Sequence, residues 1–186
     1  MVISREATQA KLDLRSAAAA RFKPKEEYTI ADRLEAKVAA VGARPLLIHG
    51  ERVLSYDEVN ARSNQVAHAA AALGLERGDV CALAMENRPE FFIIWFGLNK
   101  IGVTAALLNT HNRGRPLRHA IDESGAKAVI VGEECLPVFD SPETRDLLEK
   151  RIDQLAVYKS RSDRWLGQQG FGSQSQRFSL SQISAL

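Results

Sequence analysis

The chain has 186 residues, 45% of them hydrophobic, enough for one globular domain with a real core. Its 25 basic and 23 acidic side chains give a net charge of only +2, too little to argue for nucleic acid as a partner. No stretch reaches the roughly 18–20 apolar residues of a membrane span, and two cysteines, Cys81 and Cys135, make neither a disulfide framework nor a metal set. Cys81 lies in an apolar run and reads as a small core residue, which suits a reducing, cytoplasmic location.

Residues 1–27 are polar and Ala-rich and read as a lead-in with some helix. The short apolar run of this segment does not make a secretory signal, and Glu6 and Asp13 count against a transit peptide. Thr29-Ile30-Ala31-Asp32 is a capping box. Behind it Ile30, Leu34, Val38 and Val41 mark one helix face, with Gly42 as the stop. Residues 45–49 and 52–54 flank Gly50-Glu51, the pattern of a two-residue hairpin. Ser55-Tyr56-Asp57-Glu58 is a second capping box. It opens a long amphipathic helix through Tyr56, Val59, Ser63, Val66, Ala70 and Leu73, stopped by Gly74.

A repeating unit follows. Residues 80–85 form a continuous apolar strand of the kind covered on both faces in a parallel sheet. Asn87-Arg88-Pro89-Glu90 starts a helix, with Pro where its missing N–H costs nothing. Residues 91–98 are apolar almost all round, which predicts burial on several sides rather than contact with a membrane surface. Strands over 104–108 and 127–131, with a helix over 115–124 between them, complete β-α-β-α-β: a doubly wound α/β sheet of parallel strands and flanking helices. Beyond it the signal fades into one helical turn at 133–139 and a short charged helix at 142–155. From 160 the Ser/Gln/Gly-rich composition predicts disorder.

Leu54-Ser55-Tyr56-Asp57-Glu58-Val59 resembles the first shared box of adenylate-forming enzymes, the acyl-CoA synthetases among them. Gly78-Asp79-Val80, Met85-Glu86-Asn87-Arg88-Pro89-Glu90 and Gly97-Leu98-Asn99-Lys100-Ile101-Gly102 resemble the boxes that follow in that family. Leu108-Asn109-Thr110-His111-Asn112-Arg113, with Leu117-Arg118-His119 after it, resembles the branch of fatty acid transport proteins or very-long-chain acyl-CoA synthetases. The resemblance covers roughly 28–139. It implies the N-terminal part of an AMP-binding domain at 28–139, followed by a charged, then irregular tail at 140–186. It also implies an enzyme class that joins a fatty acid to CoA through an acyl-adenylate, using ATP with Mg.

The family's Thr/Ser/Gly-rich phosphate loop ending in Lys has no counterpart here. The expectation is therefore an N-terminal fragment, inactive alone, whose tail suits a premature stop or a frameshifted end. No catalytic, cofactor-binding or metal residue is assigned. The alternative is a non-catalytic α/β binding or interaction module with basic tails, touching a partner or a membrane surface peripherally.

Single residues give weaker pointers. His49, His68, His111 and His119 lack metal-ligand spacing and read as ordinary histidines, with ordering of the loop 109–113 the less favoured alternative for His119. Arg113, Arg115 and Arg118 cluster at a helix start near the sheet's carboxyl edge, where open α/β sheets bind ligands; a solvated helix face is the preferred reading. Gly170-Phe171-Gly172 lacks the strand–helix setting of a dinucleotide motif.

Overall fold

The structure, a computed structural model, describes residues 4–20, 28–139, 141–144, 154–159 and 164–167. Helix α1 (Arg5–Ala19) starts on a Ser4 cap and buries no residue. Helix α2 (Ile30–Val41) and helix α3 (Tyr56–Ala72) each open on the capping box legible in the sequence. In α3 the Ser55 Oγ accepts the Glu58 N–H at 3.2 Å, while a Glu58 carboxylate oxygen accepts the Ser55 N–H at 2.7 Å. Two amides that a helix start leaves without partners are thereby satisfied. Between these helices, strands β1 (Pro45–His49) and β2 (Arg52–Ser55) form the antiparallel hairpin.

Gly42 ends α2 for a different reason from a left-handed stop. Its backbone is right-handed, at φ −47°. The Asp57 N–H donates to its carbonyl at 2.9 Å, and a Cβ there would strike the Asp57 carboxylate. Close approach of the α3 N-terminus, not turn conformation, favours glycine at this point, since Asp57 would have to turn aside for a Cβ.

The parallel unit comprises β3 (Val80–Ala84), α4 (Pro89–Lys100), β4 (Thr104–Leu107), α5 (Gly114–Ser124) and β5 (Ala128–Gly132). Strand β3 pairs in parallel with β4 on one side and β5 on the other. The chain thus steps outward through α4 and crosses back through α5. Strand alternation divides the core into two layers. Cys81 and Leu83 join Ile93, Ile94 and Leu98 of α4 and Val59 and Val66 of α3. Ala82 and Ala84 join Leu117 and Ile121 of α5 on the other face. Each large apolar side chain fully buried here contributes about 1.5–3 kcal/mol of transfer free energy. Gly125, at φ 63°, ends α5 in the left-handed conformation that favours glycine.

Two sequence expectations change. Along α4, Ile93, Ile94, Gly97 and Leu98 are buried, but Phe91, Phe92, Trp95 and Phe96 are only half-buried. The sheet, the hairpin, α3 and α2 cover the helix only in part; Phe91 and Phe96 pack against the core, and Trp95 stacks on Phe96 (centroids 5.5 Å). Past the 3-10 segment Glu133–Phe139, residues 142–144 begin a helical turn, and 145–153 lie outside the described residues. The helix expected to 155 does not hold at its end, because Gln154–Lys159 forms strand β6, parallel to β5. Strand β7 (Arg164–Gly167) follows antiparallel, inside the stretch expected to be irregular. The open edge of β5 supplies a row of backbone partners to the apolar run Leu155-Ala156-Val157-Tyr158, which local periodicity could not anticipate. The sheet order is β4-β3-β5-β6-β7.

Candidate functional site

Strands β3 and β5 are neighbours whose chains leave toward opposite faces, β3 into α4 and β5 into the 3-10 segment that packs with α5. The crevice beyond their carboxyl ends is the topological switch point of the sheet, the usual ligand position in such folds. Its walls are Glu86, Asn87 and Arg88 after β3 and Gly132, Glu133 and Glu134 after β5. A carboxylate bridges them. One Glu134 oxygen accepts the Glu86 backbone N–H at 3.1 Å, and the other meets Nη2 of Arg88 at 3.0 Å. The Arg88 side chain is 13% exposed and that of Glu134 27%, so the pair is partly withdrawn from solvent. A Cβ on buried Gly132 would strike the Glu134 carboxylate, so glycine at 132 lets this side chain fold back. Sequence reading did not single out Glu134; the Glu-Glu pair directly after an apolar strand was the available signal.

Next to the crevice, Cys135 is buried. Burial first, then the Glu134 and Glu86 carboxylates, push its thiol up. Cys81, deep under α4, is pushed by burial up to about 12. Neither thiol is prepared for nucleophilic chemistry, which needs a lowered pKa and access.

The arginine cluster lies one strand further along the same edge. Arg113 precedes α5, and its guanidinium donates to the carbonyls of Thr110 and Asn112 at 2.6 and 2.9 Å. Asn109 accepts the His111 N–H at 2.9 Å. The loop 109–113 is thus ordered by its own Asn and Arg. His119 has no part in it: its side chain is 76% exposed and lies 3.9 Å from Glu123. Arg118 pairs with Asp122 at 3.5 Å. The Glu143 carboxyl is held below the usual range first by its own backbone N–H and the Ser141 side chain, then by the Arg115 and Arg118 charges. His49, His68 and His111 are exposed, and among the described residues no three His, Cys, Asp or Glu side chains stand close enough to hold a metal ion.

Arg88, Arg115 and Arg118 each face a carboxylate of the chain, and Glu86, Glu133, Glu134 and Glu143 stand along the same edge. Two further pairs serve the scaffold. Glu90, 3% exposed, receives Nη2 of Arg52 at 2.9 Å and ties the hairpin to α4. Lys100 of α4 is paired with Glu35 of α2.

Comparison with known proteins agrees with this fold. The profile of the AMP-binding enzyme family matches residues 33–178. Long-chain fatty acid transport protein 6 of Mus musculus is 38% identical over 112 residues, covering 60% of this chain and 18% of that protein. Long-chain fatty acid transport protein 1 of Bos taurus is 48% identical over 80 residues, 43% of this chain and 12% of that protein. The long-chain-fatty-acid–CoA ligase FadD13 of Mycobacterium tuberculosis (strain CDC 1551 / Oshkosh) is 35% identical over 88 residues, 47% of this chain and 18% of that protein. The chain therefore spans less than a fifth of the length of the curated relatives it matches.

Among solved structures, the anthranilate CoA ligase AuaEII shares the fold at TM-score 0.67 and 24% identity, over 84% of this chain and 27% of that one. The N-terminal domain of FACL13 from Mycobacterium tuberculosis aligns at TM-score 0.59 and 29% identity, over 61% and 29% respectively. With the profile matched across most of its length, on a doubly wound sheet shared with adenylate-forming ligases, this chain belongs to the AMP-binding enzyme family.

Proposed function

We propose that this polypeptide is the front part of the adenylation domain of a long- or very-long-chain fatty acid:CoA ligase, and that it supplies scaffold rather than chemistry. The observation that supports this is the family match over 33–178, which spans the whole doubly wound unit; the similarity to fatty acid transport proteins and a fatty-acid–CoA ligase points the same way. In such a ligase ATP with Mg would activate the fatty acid as an acyl-adenylate, and CoA would take up the acyl group. On this reading residues 28–139 shape and support that domain, residues 1–27 lead into it, and none of the described side chains touches the reacting atoms. The carboxylate-rich crevice of β3 and β5 supports a structural role for the edge.

Two experiments test the proposal. The purified chain, given ATP, Mg, a long-chain fatty acid and CoA, forms neither AMP nor thioester; turnover above the protein-free control overturns the scaffold reading. In the second, residues 28–139 replace the matching segment of the 35%-identical mycobacterial ligase. The chimera retains acyl-CoA formation if the segment is a compatible scaffold. A chimera that folds with an unchanged melt yet makes no acyl-CoA rejects it.

A further inference from the structure

We propose that the switch-point crevice is an oxyanion seat kept filled by the chain's own Glu134. This inference stands apart from the ligase reading, because it rests on the local geometry alone. The seat has one hydrogen-bond donor and one positive charge on one wall: the backbone N–H of Glu86 donates at 3.1 Å, and Nη2 of Arg88 forms an ion pair at 3.0 Å. One reaches each oxygen of the same carboxylate, the arrangement that a free carboxylate or phosphate also satisfies. The opposite wall is Gly132, where the missing Cβ leaves the space that the carboxylate occupies. The crevice lies where ligands of doubly wound sheets bind.

Glu134 closes the seat by proximity. It is attached two residues after β5's end residue Gly132 and competes at an effective concentration no dilute anion matches. The charges around it reinforce the exclusion. The Glu86 and Glu133 side chains are exposed beside the crevice, and Arg88 is a cation on that wall that pairs with the Glu134 carboxylate. The seat consequently staples β3 to β5 in this chain and takes up no external anion while Glu134 is present. Its latent ligand class is a small oxyanion, either carboxylate or phosphate.

The test removes the plug. Glu134→Ala and wild-type chains are melted at constant ionic strength in chloride, acetate or phosphate. The variant melts below wild type in chloride. Acetate or phosphate at about ten times its dissociation constant restores about 2–4 °C, whereas the wild type shifts with neither. Acetate alone restoring stability identifies a carboxylate seat, and phosphate alone a phosphate seat; either supports the inference. Equal melts in all three salts overturn it, as does an equal anion shift in the wild type. If the alanine variant does not fold, the same titration on Glu134→Ser, whose shorter, uncharged side chain vacates the place of the carboxylate, decides, and no anion-specific rise there overturns the inference.

Discussion

Replacing Gly97 with alanine sets two effects of known size against each other. On α4, alanine is worth about 1 kcal/mol over glycine from helix propensity alone. Gly97 is buried, however, where α4 crosses α3. A Cβ there would stand 2.6 Å from Cβ and Cγ1 of Val66 and 2.7 Å from the Ser63 carbonyl oxygen. Ordinary carbon contacts begin near 3.5 Å, so α4 would have to move about 1 Å from α3.

The obstacles are a β-carbon and a backbone oxygen rather than the tip of a flexible side chain. Moving α4 also disturbs Ile94 and Leu98, which are fully buried in the same layer. Overpacking of this kind costs about 2–3 kcal/mol. The clash therefore wins, and Gly97→Ala destabilises the chain by about 1–2 kcal/mol, lowering the melting temperature by about 2–8 °C. Urea unfolding followed by circular dichroism reads this as a lower midpoint at unchanged slope. A Gly97→Ala chain as stable as wild type, or more so, would show that the α3–α4 crossing is looser than the structure has it.

Two further outcomes follow from the same packing and capping. Ser55→Ala removes the hydroxyl that caps α3 and costs about 0.5–2 kcal/mol; an unchanged urea midpoint would mean that the α3 start is already frayed. Acidification destabilises the fold. Asp32 is held below the usual carboxylate range by the Thr29 side chain and then its N–H, and Glu58 by the Ser55 N–H and then its hydroxyl. Asp79 is held low by the Glu76 N–H and then Lys127. Because the folded values lie below the unfolded ones, near 3.9–4.3, this stability is complete above the unfolded values and is lost as pH falls through the folded ones. Melting temperatures should hold steady down to about pH 5 and fall below about pH 4; a rise on acidification would contradict the assignment.

Local rules made much of the fold legible in the sequence. The capping boxes at Thr29 and Ser55 and the strand beginnings near 80, 104 and 127 depend on neighbours within a few residues, and each appears where it was read. The family boxes sit on these same elements. The candidate site was less legible. Arg113 and His119 were visible as residue types, but their roles depend on where a carbonyl or carboxylate ends up. Arg113 holds its own loop, and His119 faces solvent.

The one-dimensional pattern decided element type, the two-faced burial of β3 and the doubly wound class, because periods of two and 3.6 residues report which side of an element is apolar. Only tertiary structure decided that β3 lies between β4 and β5, that the aromatic side of α4 is left half-covered, and that β6 extends the sheet. The same holds for Glu134 closing the crevice against Glu86, 48 residues away in sequence. Such contacts depend on which distant segments the packed core brings together, and no local spacing records that.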